Sequence, residues 1–398
     1  MKTNAYCPMP FVTLTVNPGG TISRCMMSLE NMGPLSAGTY SNEKFQALRQ
    51  NMLDGKWDEQ GCNSCFRAEN NGHRSQRLKW LDREEKYLEE TGIYNSNLSV
   101  IENNIYHLYM NFNNICNFKC RMCGPHFSNA WVPDYKKLTD NNDLSIPKKP
   151  LQAKQQVDVD KFFADFGKKL SNLRQIWITG GEPFMDDAIY RFFEKLKDYS
   201  DLSKIKVVIN TNASKVDVNR LPSLFEVKSL LLNISVDSTG DLYKYMRGYN
   251  YSFEELDKKI RQIAKLKHTH SNFEISVNGA YQVYNILDIE KFYDWGAEVT
   301  GTPDGTLIEY RVLGGPQWLR ARNAPNEIKS QANSMINKLM KRYPSNSYLE
   351  DCMKEIKSSR VDNDIEMFLK WNTSLDNIRQ EKLIHIFPEL MQGYEKNE

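Results

Sequence analysis

Three thiols stand within eight residues of the segment NICNFKCRMCG, at Cys116, Cys120 and Cys123. Soft thiolate ligands at this spacing suit zinc or iron–sulfur chemistry. Three is one short of the closed tetrahedral set of a structural zinc site. Three thiolates can, however, hold three corners of a cubane iron–sulfur cluster and leave its fourth iron without a protein ligand. A zinc site completed by a distant group, such as His126 or Cys352, is the first alternative, and a chance gathering of buried thiols is the second.

A second set comprises Cys7, Cys25, Cys62 and Cys65, the last two as CxxC. Four thiolates make a closed set, suited to a structural zinc or to an iron–sulfur cluster. A third motif, WITGGEPFMD, runs from Trp177 to Asp186. Gly180 and Gly181 allow close backbone approach because no Cβ intervenes. An ordinary strand-to-helix turn, with glycine for shape and Pro183 at the helix start, is the plain alternative.

The elements that position these motifs fall into regions. Residues 1–75 hold the four-cysteine set. There FVTLTVNPGGTISRC predicts a hairpin turning at Asn17–Gly20, and SNEKFQALRQNMLDGKW predicts a helix capped by Ser41 and ended near Gly55. Residues 76–103 form a charged helical connector. Residues 104–319 alternate strand-like and helix-like segments, with strands expected at 105–112, 175–179, 206–210, 229–236, 273–278 and 307–313. Such alternation implies βα units, six of them, too few to close an eight-unit barrel. The three-cysteine loop follows the first strand, at the end where βα folds build their sites. Residues 133–157, rich in Pro, Lys, Asn and Gln, predict an exposed lid-like loop. Residues 320–398 are polar and helical.

Composition sets outer limits. Of 398 residues, 40% are hydrophobic and 26% charged, so a sizeable core is available. Lys+Arg (52) nearly balances Asp+Glu (50), for a net charge of +2, which is no footprint for duplex nucleic acid. No apolar run approaches a membrane span, and the N-terminus is a poor signal peptide. A cytoplasmic location is therefore expected. There thiols stay reduced, and clustered cysteines point to metal or catalysis.

CxxxCxxC directly after a first strand resembles the radical S-adenosylmethionine (SAM) superfamily, and WITGGEPFMD is similar to that family's GGEP segment. The resemblance implies an open (β/α)6 partial TIM-type barrel and a [4Fe–4S] cluster on Cys116, Cys120 and Cys123, with SAM at the open iron. It further implies reductive cleavage to a 5′-deoxyadenosyl radical and abstraction of hydrogen from a substrate. Gly180, Gly181, Glu182 and Pro183 would receive the cofactor's amino group. Ser235 and Asp237 in NISVDSTGD would meet its ribose or carboxylate, and Arg247 in DLYKYMRGYNYSF its carboxylate. Asn278, at the fifth strand end, and Asn210 and Thr211, at the third, are further candidates. Leu313 would pack on adenine, and Met122 stands where the family often has an aromatic residue.

The N-terminal set resembles a twitch domain, the shortened SPASM form, which implies an auxiliary [4Fe–4S] cluster on Cys7, Cys25, Cys62 and Cys65, with zinc as the alternative. Here that region precedes the barrel, whereas in better-known members it follows. The resemblance implies a reducing partner such as a flavodoxin or ferredoxin, and a peptide or protein substrate before a small metabolite or nucleoside. A non-catalytic iron–sulfur or zinc protein is the reading from another class. Cys352 reads as a buried free thiol. His107 and His126 are proton donors or structural, and Tyr281, Tyr284 and Tyr310 line a pocket or fill the core.

Overall fold

The computed structural model describes residues 5–28, 30–58, 61–70, 74–82, 105–140, 154–248 and 250–395. Most of the 76–103 connector and residues 141–153 of the expected lid lie outside them. Among the described residues the strands are β1 (Thr13–Asn17), β2 (Thr21–Ser23), β3 (Asn31–Pro34), β4 (His107–Asn111), β5 (Gln175–Thr179), β6 (Lys206–Thr211), β7 (Ser229–Ser235), β8 (Phe273–Tyr281) and β9 (Ile308–Val312). They follow the order β3-β2-β1-β4-β5-β6-β7-β8-β9 in one open, mixed α/β sheet. The chain divides into two compact units, one of Met1–Asn114, Lys154–Ile209 and Pro222–Leu230, the other of Ile115–Ala153, Asn210–Leu221 and Leu231–Glu398.

In the first unit β4, β5 and β6 pair in parallel, as βα units require. Ile176 and Ile178 of β5 and Val207 and Ile209 of β6 point to a buried face at period two. The helix Ala188–Leu196 buries Ile189, Phe192, Phe193 and Leu196, the i, i+3, i+4, i+7 stripe of an amphipathic helix. Each such side chain contributes roughly 1.5–3 kcal/mol on burial.

The N-terminal hairpin is β1 and β2, antiparallel as expected, but it begins later than the sequence suggests. Met9–Val12 form a helical turn with Pro10 in its first positions, since proline has no N–H to give a strand ladder. β1 then pairs in parallel with β4, so the hairpin extends the sheet of the βα units. The following helix spans Glu43–Leu53, and its cap is Asn42, whose side chain accepts from the Phe45 N–H, rather than Ser41. Either residue type can cap, so the choice between neighbours rests on the backbone.

In the second unit the helix Phe253–Ala264 starts at a capping box of Ser252 and Glu255. Ile289–Thr300 ends on Gly301 at φ 69°. The expected lid is corrected at its start, because Val132–Asp140 is a helix that buries Asp134, Tyr135 and Leu138. The C-terminal residues form helices Asn326–Arg342, Ser347–Lys357 and Asp362–Arg379. No described helix is long and apolar enough to cross a membrane.

Candidate functional site

The three-cysteine loop lies in the second unit and is held by a dense set of hydrogen bonds. The Cys116 N–H donates to Asn129 Oδ1 at 3.2 Å, and Cys116 Sγ accepts from the Phe118 N–H at 3.4 Å. Asn212, just past β6, donates from Nδ2 to Cys116 Sγ at 3.9 Å and to Asn117 Oδ1 at 3.1 Å. Asn117 in turn donates to Ser214 Oγ at 2.9 Å. The Cys123 N–H closes a turn on the Cys120 carbonyl at 2.9 Å.

Burial raises the Cys120 thiol above its ordinary value, while the nearby Arg247 charge works the other way. Burial, then the charge of Cys120, pushes Cys123 up to about 12. Burial of this kind favours the neutral thiol, and a nearby positive charge favours the thiolate form that a metal ligand takes.

Arg247 is such a charge. It lies on a π-helical turn, Lys244–Gly248, a rare geometry that recurs at functional sites. Its guanidinium pairs with Asp237, and its Nε is buried with no hydrogen-bond partner among the described residues. Asp237 adopts φ 69°, uncommon for a residue with a Cβ. Its surroundings hold it there: the carboxylate accepts from the Ala280 N–H at 2.6 Å, and the carbonyl accepts from Asn285 Nδ2 at 2.7 Å and Tyr310 OH at 2.8 Å. The structure thus joins two candidates that the sequence treated separately, with Asp237 orienting Arg247.

Ser235 is half-buried at the end of β7, and Met122 is half-buried beside Cys123. Asn278 donates to Asn233 Oδ1 at 2.9 Å, Ser276 donates to the same oxygen, and Asn233 donates to Asn210 Oδ1 at 2.9 Å. This polar ladder joins β6, β7 and β8 through their later residues. Thr211 Oγ1 is taken by the Ala213 N–H at 2.9 Å. Leu313 is nearly buried after β9.

The GGEP segment belongs to the first unit. Gly180 sits at φ 137°, and a Cβ there would come within 2.6 Å of the Asn113 carbonyl oxygen. The same oxygen accepts from the Gly181 N–H at 2.6 Å. The close approach these glycines permit is therefore made by the chain's own backbone after β4. Glu182 is fully buried, and its carboxylate accepts from the Phe184 N–H at 3.2 Å, capping a turn that Pro183 opens.

The four N-terminal cysteines also lie in the first unit. Burial raises Cys7, followed by the charges of Cys25, Cys65 and Cys62, so these thiols share one electrostatic environment. Burial pushes Cys25 up to about 12 and also raises Cys62. Arg24 opposes the Cys62 shift from close range, its Nη1 lying 3.9 Å from Cys62 Sγ. Arg24 is buried, paired with Asp58 at 2.5 Å and with Glu30. A set of four thiols beside a buried cation fits an anionic cluster. Among the described residues, no three His, Cys, Asp or Glu side chains are grouped as a site for a single metal ion.

Of the remaining candidates, His107 is buried with its ring 5.1 Å from Trp80, and His126 is exposed. Tyr281, Tyr284 and Tyr310 are fully buried core residues, with Tyr310 stacked on Phe292 at 4.4 Å. Cys352 is a buried thiol donating to the Tyr310 carbonyl at 3.4 Å. Sequence reasoning missed Arg24, Arg121, Asn212 and Asn233. Adjacency to a cysteine was the available signal for the two arginines, and strand-end asparagine for the other two.

Residues 110–279 match the family model described as the radical SAM superfamily. The GTP 3′,8-cyclase of Sulfurimonas denitrificans (strain ATCC 33889 / DSM 1251) is 28% identical over 123 residues, which are 31% of this chain and 32% of that protein. The chain thus matches about a third of that curated relative's length. Among solved structures, native anSMEcpe with bound AdoMet is 15% identical at a TM-score of 0.41, covering 62% of each chain. Streptococcus suis SuiB bound to precursor peptide SuiA is 12% identical at a TM-score of 0.37, covering 98% of this chain and 75% of that one.

Proposed function

We propose that this chain, whose residues 110–279 match the radical SAM family model, is a radical SAM enzyme that abstracts hydrogen from a peptide or protein. The observation that carries this reading is the loop of Cys116, Cys120 and Cys123, standing inside the matched segment. A [4Fe–4S] cluster on those thiols, with SAM at its open iron, supplies a 5′-deoxyadenosyl radical when bound. The chain's residues bind and orient. Arg247, held by Asp237, presents a buried cation to the cofactor's carboxylate, and Gly180 to Pro183 receive its amino group. Ser235 would meet its ribose or carboxylate, Leu313 would pack on its adenine, and Asn278 and Met122 are further candidates for contact.

Cys7, Cys25, Cys62 and Cys65 hold an auxiliary [4Fe–4S] cluster in a twitch-like region, saturated by its four ligands and so suited to electron relay or support. A flavodoxin or ferredoxin supplies the electron. The stretch shared with a GTP 3′,8-cyclase favours a second substrate reading, a nucleotide or other small metabolite.

The test is anaerobic reconstitution with iron, sulfide, dithionite and SAM, followed by chromatography for 5′-deoxyadenosine. Turnover is expected, and added peptide or nucleotide pools should stimulate it according to substrate class. A protein that holds neither iron nor sulfide and forms no 5′-deoxyadenosine would overturn the reading, as would zinc alone at both cysteine sets.

A further inference from the structure

Arg121 stands between Cys120 and Met122 on the three-cysteine loop, yet its side chain is wholly buried. Its Nη2 donates to Asp376 Oδ1 at 2.5 Å and to Glu381 Oε2 at 2.6 Å. Its Nε donates to the Tyr245 carbonyl at 3.0 Å, and its backbone N–H donates to the Met246 carbonyl at 2.8 Å. The guanidinium also lies over the Tyr245 ring at 3.6 Å. One side chain thus joins the cysteine loop, the turn that carries Arg247, and the helix Asp362–Arg379.

The residues just before Arg121 reach the same helix. The Cys120 carbonyl accepts from Trp131 Nε1 at 2.9 Å, and Trp131 stacks on Trp371 at 5.8 Å. Lys119 pairs with Asp134 at 3.2 Å, and Asp134 pairs with Arg379 at 3.0 Å. Three consecutive loop residues are therefore anchored, directly or through one neighbour, to a helix outside the 110–279 segment that matches the family model.

Asp376 is fixed in turn. It accepts from Tyr245 OH at 2.8 Å and from the Leu383 N–H at 2.8 Å. Loss of the Asp376 charge would leave the buried guanidinium with Glu381 as its remaining carboxylate, so its charge would be less fully compensated and its loop would have to adjust.

We infer that the helix Asp362–Arg379 is a clamp on the three-cysteine loop, with Asp376 a positioning residue that sets the cluster's thiolate geometry through Arg121. This rests on the reading that those cysteines hold a cluster. The reconstituted full chain is the test object, with Asp376→Asn and Asp376→Glu compared to the unaltered protein. Asp376→Asn should lose iron from the SAM-responsive cluster to a chelator about 10–100-fold faster, the usual scale for an outer-shell contact. The electron paramagnetic resonance signal of its remaining SAM-bound cluster should shift or broaden, and Asp376→Glu should recover both measures.

Should Asp376→Asn fail to fold, Glu381→Gln at the more exposed edge of the pair gives the same readouts with a smaller change. Retention and spectra indistinguishable from the unaltered protein in both variants would overturn the clamp while leaving the functional reading intact. An unaltered protein with no SAM-responsive signal would overturn the functional reading and the clamp together.

Discussion

At each cysteine set the charge of a buried arginine acts on the thiols, but the scaffolds around the two differ. Arg247 is positioned by Asp237, which is itself held by Ala280, Asn285 and Tyr310 on neighbouring elements. Arg24 is held by Asp58 and Glu30 and reaches Cys62 directly. The three-cysteine loop is braced by Trp131, Arg121 and the asparagines around Cys116. By contrast, Cys65 rides on the short helix Asn63–Asn70, which buries none of its residues. Little apolar burial means little stability of its own. The difference teaches that one site is built by the fold, whereas the other has little apolar packing of its own and, on the proposed reading, would take its order from the metal its thiols hold.

The largest effect that bears on this comparison is ligand loss. Cys120→Ala should abolish 5′-deoxyadenosine formation, a fall of more than ~100-fold, since even outer-shell changes cost about 10–100-fold. Cys62→Ala should leave measurable turnover. Equal loss from both would erase the division of labour.

Next is the fold-built site itself. Asp237→Asn strips the partner from a buried guanidinium and should cost about 3–5 kcal/mol in urea unfolding of the metal-free protein. A loss below ~1 kcal/mol would show that Arg247 has another route to compensation.

The N-terminal cysteine set is addressed through Arg24. Arg24→Met should speed chelator removal of iron from the N-terminal set about 10–100-fold and leave the SAM-responsive cluster unaffected. In unaltered protein stripped of metal, limited proteolysis should cut first within the short helix Asn63–Asn70. Cuts falling first at 115–124 would invert the comparison.

The smallest effect is steric. Gly180→Ala places a Cβ 2.6 Å from the Asn113 carbonyl at a φ of 137° and should cost roughly 1–3 kcal/mol in thermal or urea unfolding. A neutral result would mean that the turn after β5 yields more easily than its hydrogen bond from Gly181 implies.

Much of this molecule was legible in the chain. β5 has the bounds that its alternation predicts, and the other βα strands differ from expectation by a few residues at their ends. The two cysteine sets and the GGEP segment are motifs of type and spacing, visible without a fold. Less legible were choices between near-equal local options. Asn42 rather than Ser41 caps its helix, and Val132–Asp140 is helical where Pro, Lys and Asn suggested a loop. Propensity there is a weak term, and burial of Asp134, Tyr135 and Leu138 outweighs it.

By itself the sequence determined the donor types, their spacing along short segments, and the alternation of strand and helix, because these depend on covalent order and on periods of two and 3.6 residues. Only the tertiary structure decided which charges compensate one another. Asp237 was paired with Arg247 across a π-helical turn, and Arg121 with an aspartate 255 residues away. A buried guanidinium needs a carboxylate within a few ångströms, and nothing in the local pattern of the chain says which distant acid the fold will bring there.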